Sequence, residues 1–304
     1  MGVIDFHMHL FSRAYFEALA SQSPLAGTVE DKLAAVVAKT GIELPPADVA
    51  EHTARWLQQM ERHGVEHLCA FASAPEEIPS LSQARQAAKG RITPFALVNP
   101  KVGGVAERVE MLVRDQGFGG VLMFPALHHY TLSAEVCAPL LAALERQSAI
   151  AYVHCGLLVV KLRNLLGFPR TADLHYANPL EIVPAANAHP NVKFVIPHFG
   201  AGFFREALLA GAQCPNIFVD TSSSNSWVAT QTPMPSLRDV FEATLRVFGP
   251  ERVLFGTDSN VFPAGWRADR LAEQRKALEE LGVSAAHQDS IFRGNAKRLL
   301  APRT

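Results

Sequence analysis

Eight short apolar runs recur along the chain, near 3–9, 67–73, 92–98, 119–125, 149–155, 192–198, 216–222 and 252–258. Most are nearly continuous in Val, Ile, Leu, Phe and Ala, as in strands covered on both faces. Helical periodicity fills much of the space between them. The stretch 48–64 opens on a capping residue, Asp48, and stops at Gly64. Related patterns cover 103–117, 133–147, 178–190, 236–249 and 269–282, with Pro184 weakening the one at 178–190. Strands alternating with helices predict a parallel sheet with helical crossovers. Eight strands is the number that closes a (β/α)8 TIM barrel. An open doubly wound sheet is the alternative, but it carries a glycine-rich phosphate turn after its first strand. Here that position reads DFHMHLF. Two long connections, 11–46 after strand one and 156–178 after strand five, leave the carboxyl ends of their strands, where barrels build active sites. No repeat or low-complexity segment divides the chain, so residues 1–304 read as one domain.

Composition narrows the partners. With 28 basic and 29 acidic residues the net charge is −1, which argues against nucleic acid or a membrane surface as a partner. No apolar stretch is long enough to span a bilayer, and the N-terminus lacks a basic region followed by an apolar run. Cys69, Cys137, Cys155 and Cys214 are scattered and form no disulfide framework. The expectation is a cytoplasmic protein acting on a small molecule.

The first apolar run is interrupted. In VIDFHMH, Asp5, His7 and His9 alternate, and side chains two apart on a strand share a face. Ionisable groups set together there need a partner, because burying them unpaired is costly. Other strand ends are polar too: Ser73, Asn99, His154, His198, Asp220 and Asp258. A closed barrel brings these ends to one rim. Imidazole and carboxylate together suit zinc and similar divalent ions. Asp5 lies deeper and reads as structural. Asp220 reads as an outer partner that holds a ligand. His52, His63, His67, His189 and His287 lack such company and read as ordinary core or surface residues.

The rim offers substrate contacts. The loop KLRNLLGFPRTADLHY carries Lys161, Arg163, Arg170 and His175, and an arginine there can grip a carboxylate through paired hydrogen bonds. His128 and His129 follow strand four. Phe11, Phe124, Phe199, Trp227, Phe262 and Trp266 gather near strand ends, where flat walls suit an unsaturated substrate. The hydroxyl-rich DTSSSNSW, 220–227, reads as a polar subsite or a turn.

Taken in order, DFHMH, VHCG, PHFGAG and LFGTDSN, with the closing IFRGNAKRLL, resemble the amidohydrolase superfamily over essentially the whole chain. More narrowly the chain is similar to the branch containing aminocarboxymuconate-semialdehyde decarboxylase. Many superfamily members bridge two metals with a carboxylated lysine on strand four, but GGVLMFP has no lysine. The resemblance therefore implies one divalent ion, zinc with manganese as the alternative. It implies His7, His9, His154 and Asp258 as ligands with one water, and His198 as general acid or base beside that water. Asp258 handles protons as well in hydrolytic relatives. Arg163, Arg170, Phe124 and Trp227 are the candidates for binding an anionic substrate. The implied activity is decarboxylation of a small carboxylated aromatic or dienoic compound. Hydrolysis of a lactone, ester or amide is the alternative, and a non-catalytic metal-binding barrel the second. Some members pair through their barrels, so the resemblance also allows a homodimer.

Overall fold

The computed structural model describes residues 2–222 and 226–301. Its parallel strands are β1 (Val3–His9), β2 (Val65–Phe71), β3 (Ile92–Val98), β4 (Gly120–Met123), β5 (Ile150–Val153), β6 (Lys193–Ile196), β7 (Ile217–Asp220) and β8 (Val253–Leu254). They pair in chain order. β8 and the residues after it return to β1. The N–H of Phe6 donates to the Phe255 carbonyl at 2.8 Å, that of Asp258 to His7 at 2.8 Å, and that of His9 to Ser259 at 2.9 Å. The result is a (β/α)8 barrel, and the doubly wound alternative is excluded by the sequential order and this closure.

Several strands stop short of their apolar runs. β4 ends at Met123 and β8 spans only Val253–Leu254. His198 and Asp258 have φ of +57° and +58°. Left-handed residues leave the strand ladder, and such strain gathers at functional sites. His154 lies one residue past β5. The polar residues are thus set on the lip of the barrel, just above its packed interior.

Local chemistry explains the helices. Asp48 accepts the Ala50 N–H at 2.8 Å to start Val49–His63, which ends on Gly64 at φ +67°. Its residues His52, Trp56 and Met60, four apart, make the buried stripe. In Leu237–Phe248, Ser236 and Asp239 form a capping box. Pro184 is third in Ile182–Ala188, within the first turn, whose N–H groups have no partner inside a helix, so the ring is tolerated. Two connecting helices, Ile78–Ala87 and Phe204–Gln213, had no clear sequence signal. Pro79 and two serines blur the period of the first, and glycines with a continuous apolar run blur the second. Close packing of β4 on β5 demands glycine at position 120, where a Cβ would lie 1.9 Å from the Ile150 carbonyl oxygen.

The two long connections pack against each other. The first holds helices Arg13–Gln22 and Val29–Thr40. Its Phe16, Leu19, Leu33 and Val36 pack with Leu166 of the second in a small apolar cluster separate from the barrel core. The Ser23 hydroxyl donates to the Leu166 carbonyl at 2.7 Å and ties the two together.

Candidate metal centre

His7 Nε2 and His9 Nε2 lie 3.7 and 3.5 Å from Asp258 Oδ1. All three ligand atoms fall within 4.8 Å of one another. Two atoms bound to one tetrahedral ion at about 2.1 Å stand about 3.4 Å apart, so this spacing suits a shared ion. The outward nitrogens are engaged elsewhere: His7 Nδ1 is 2.7 Å from Asp220 Oδ2, and His9 Nδ1 is 2.7 Å from Ser73 Oγ. Holding Nδ1 fixes each ring and leaves Nε2 to bind. His154 stands beside the group rather than inside it, its ring centroid 5.4 Å from that of His198. Its Nδ1 is buried and has no hydrogen-bond partner among the described residues. An unpaired buried nitrogen is costly, and a cation would satisfy it.

Metal binding requires neutral imidazoles. Burial pushes His9 down to about 3, with Asp258 pulling the other way. Burial, then the neighbouring His198, His7 and His9, hold His154 well below its ordinary value. Burial also works against charge on His7, but the Asp220 carboxylate outweighs it and raises the His7 pKa. A carboxylate that favours a proton on this ring favours a cation there too. His7, His9 and Asp258, with His154 beside them, thus offer the imidazole and carboxylate donors that suit a single divalent ion.

A second cluster, His7, His198 and Asp220, is a hydrogen-bond network. Asp220 Oδ1 accepts the N–H of His198 at 3.0 Å and of Ser222 at 2.8 Å, and the Ser222 hydroxyl. Its Oδ2 accepts His7 Nδ1–H and the Tyr152 hydroxyl. Burial opposes ionisation of Asp220, yet the neighbouring His7 and these hydrogen bonds hold its carboxyl well below the usual carboxylate range. Phe6, Phe71, Phe95 and Tyr152 pack beneath as an aromatic floor, with Tyr152 5.4 Å and Phe71 4.9 Å from the His7 ring.

A family model described as Amidohydrolase matches residues 4–301. The chain belongs to the amidohydrolase family. No curated protein matches it. Among solved structures it is similar to 5-carboxyvanillate decarboxylase from Sphingomonas paucimobilis, with a TM-score of 0.64 and 13% identity over 99% of each chain. The corresponding enzyme from Novosphingobium aromaticivorans, complexed with manganese and 4-hydroxy-3-methoxy-5-nitrobenzoic acid, gives 0.65 and 16% over 99% of this chain and 96% of that one. The probable 2-pyrone-4,6-dicarboxylic acid hydrolase from Acinetobacter baumannii, with citric acid bound, gives 0.62 and 15% over 99% and 100%. At such identities the likeness shows the shared fold.

Around the amidohydrolase centre the structure sorts the other sequence-read residues. Asp5 does not join the histidines. The pairing of β1 with β2 slips between Asp5 and Met8, which breaks strict alternation. Asp5 instead accepts the N–H groups of His7 and Thr257, each at 3.1 Å, and the Trp266 indole N–H at 2.8 Å. Phe124 lies 5.1 Å from the His154 ring, and Phe11 stacks 5.1 Å from His9. Trp227 does not form an open wall: it is 1% exposed and packs on Phe204 and Phe199. Phe199, Phe262 and Trp266 are buried in the same way. His129 binds the Thr171 carbonyl and His175 binds Asp173, so both are occupied at the rim. His52, His67 and His189 bond to Leu10, Thr93 and Glu145, as ordinary residues do. Residues 223–225 of the hydroxyl-rich stretch lie outside the described residues.

Glu77 supports the site and was not flagged by the sequence. It is fully buried and accepts the N–H of Ser12 at 2.6 Å and of Ser73 at 2.8 Å. It thereby staples the segment after His9 to the residue that holds His9. Burial pushes its carboxyl from 4.5 up to about 7, against the pull of those N–H groups. A carboxyl raised by folding favours the folded state fully below about 4.5, and that contribution is lost as pH rises through about 7. The raised pKa corresponds to about 3 kcal/mol. Glu77→Gln is expected to flatten the fall in stability between pH 5 and pH 8, read by denaturant unfolding at each pH. An unchanged slope would refute the assignment.

Proposed function

We propose that this amidohydrolase binds one divalent ion through His7, His9, His154 and Asp258 and decarboxylates a small carboxylated aromatic or dienoic compound. One observation carries the choice of substrate. Arg163 and Arg170 line a cavity of about 280 Å³ whose lining residues include no carboxylate. Neither forms a salt bridge among the described residues. Arg163 rests over the Phe168 ring at 4.3 Å, which orients its guanidinium without neutralising it. Two unpaired arginines in one cavity suit an anion, and planar guanidinium suits carboxylate best.

β4, GVLM, has no lysine to bridge a second ion, in keeping with a single-ion site. The ion, zinc in this reading with manganese as the alternative, supplies Lewis-acid polarisation and lowers the pKa of water when bound. Arg163 and Arg170 hold the substrate carboxylate side, and Phe124, its ring 5.1 Å from that of His154, borders the reacting region. His198 moves the proton. Burial, and then the neighbouring His7, lower its pKa, which favours the neutral form that can accept a proton. In decarboxylation it passes a solvent proton to the ring carbon; the C–C bond breaks, its pair takes up that proton, and CO2 leaves. The same residues serve hydrolysis of a lactone or ester, with His198 taking the proton from attacking water. The four cysteines are free and buried, which supports a reducing cytoplasm. Among the described residues no helix is long and apolar enough to cross a membrane.

Metal-loaded protein offered pooled aromatic and dienoic carboxylates, lactones and esters decides between the two. Products that have lost CO2 establish the lyase, and products that have gained water establish the hydrolase. With an accepted substrate, the Arg163→Ala, Arg170→Ala double variant is expected to raise KM by roughly 10- to 100-fold, the worth of charge-assisted hydrogen bonds. An unchanged KM would remove both arginines from the substrate site.

A further inference from the structure

We propose that Ser222 is a positioning residue that extends the hold of Asp220 from His7 to His198. The inference rests on His198 being the proton-transfer group of the proposed reaction. Ser222 is 0% exposed and stands just past β7. Its Oγ lies 2.9 Å from His198 Nδ1 and 3.0 Å from His7 Nδ1, and its carbonyl oxygen lies 3.1 Å from His198 Nδ1.

Counting protons fixes the roles. A hydroxyl has one hydrogen. Ser222 spends it on the Asp220 carboxylate, which can only accept. Its oxygen can then only accept, and so can its carbonyl. Both face His198 Nδ1, so the neutral imidazole carries its hydrogen on Nδ1 and keeps the Nε2 lone pair. His7 Nδ1 donates to Asp220 Oδ2 by the same logic. One buried carboxylate therefore sets the tautomer of both rings, directly for His7 and through Ser222 for His198. The two rings are 4.7 Å apart, so their mutual orientation decides how a proton reaches a substrate held over the ion. No other side chain among the described residues is seen to hydrogen-bond both Asp220 and the His198 ring. The Asp220 bond to the His198 backbone N–H fixes the main chain and leaves χ rotation free.

The test compares zinc-loaded wild type with zinc-loaded Ser222→Ala. In wild type the His198 Nδ1–H is expected as a resolved, slowly exchanging imidazole resonance in nitrogen-edited NMR, assigned by its loss in His198→Ala. Ser222→Ala is expected to broaden or lose that resonance. It should lower kcat about 10-fold, the scale of one lost hydrogen bond, with KM and zinc content unchanged. A purely structural serine would lower the unfolding midpoint and leave both the resonance and kcat alone, which would overturn the proposal. A wild-type His198 protonated on Nε2 would overturn it equally. Should wild type turn over none of the pooled substrates, the proposed reaction fails, and the resonance alone still decides the role of Ser222.

Discussion

Asp258→Ala is expected to weaken metal binding by at least 100-fold, with the barrel still folded. Its Oδ1 is the atom on which His7 Nε2 and His9 Nε2 converge. Changing an outer partner of a metal ligand costs about 10- to 100-fold in affinity, and removing a ligand costs more. A 100-fold loss is about 2.7 kcal/mol. His154→Ala should behave the same way, because its buried Nδ1 has no hydrogen-bond partner among the described residues. Metal analysis after dialysis, with chelator competition, measures both. Stability gives an independent reading: wild type should gain about 2.7 kcal/mol at a free zinc concentration 100 times its Kd, and the variants should gain far less at that concentration. Full occupancy in either variant would break the ligand assignment at that residue. Retention in His154→Ala alone would leave a three-residue site of His7, His9 and Asp258.

Much of this centre was legible because barrels place chemistry at strand ends. Apolar runs ending in His or Asp marked β1, β5, β6, β7 and β8, and closure brought those ends to one rim. Asp5 reads as structural and does anchor backbone N–H groups, while its shared face with the histidines is lost because alternation holds only while pairing stays in register, and β1 slips there. Aromatic positions were harder still. Phe124 and Trp227 both follow strands, yet one lies by His154 and the other is sealed among Phe199 and Phe204. Which side of a strand end faces the mouth depends on turn geometry that sequence distance does not encode. Glu77 and Tyr152 escaped notice for a related reason, and Ser222 stood out only as part of the hydroxyl-rich stretch 220–227. Each acts through a contact remote in sequence: Glu77 on Ser12, Tyr152 on Asp220, Ser222 on His7. The available signal was indirect, namely that a buried aspartate such as Asp220 requires donors from other strands.

His198→Ala is expected to keep the metal and lose turnover by about 10²- to 10⁴-fold, the range for a positioned general acid or base. The argument turns on which atoms His198 offers. Its Nδ1 is engaged by both oxygens of Ser222, and its ring stands 4.7 Å from His7 and 5.4 Å from His154. Nε2 is left for the proton. The cluster of His7, His198 and Asp220 could also be read as a second ion site. The 2.7 Å separation of His7 Nδ1 and Asp220 Oδ2 argues against that, because it is a hydrogen-bond length and shorter than the about 3.4 Å between neighbouring ligands of a tetrahedral ion. Measured kcat and metal content together separate the readings. Loss of turnover with full metal keeps His198 as the proton carrier, whereas loss of both makes it a ligand and shifts the centre towards β6 and β7. Unchanged turnover would transfer the proton step to Asp258, the remaining carboxylate on the lip, and the Ser222 hold on His198 would then have no catalytic consequence.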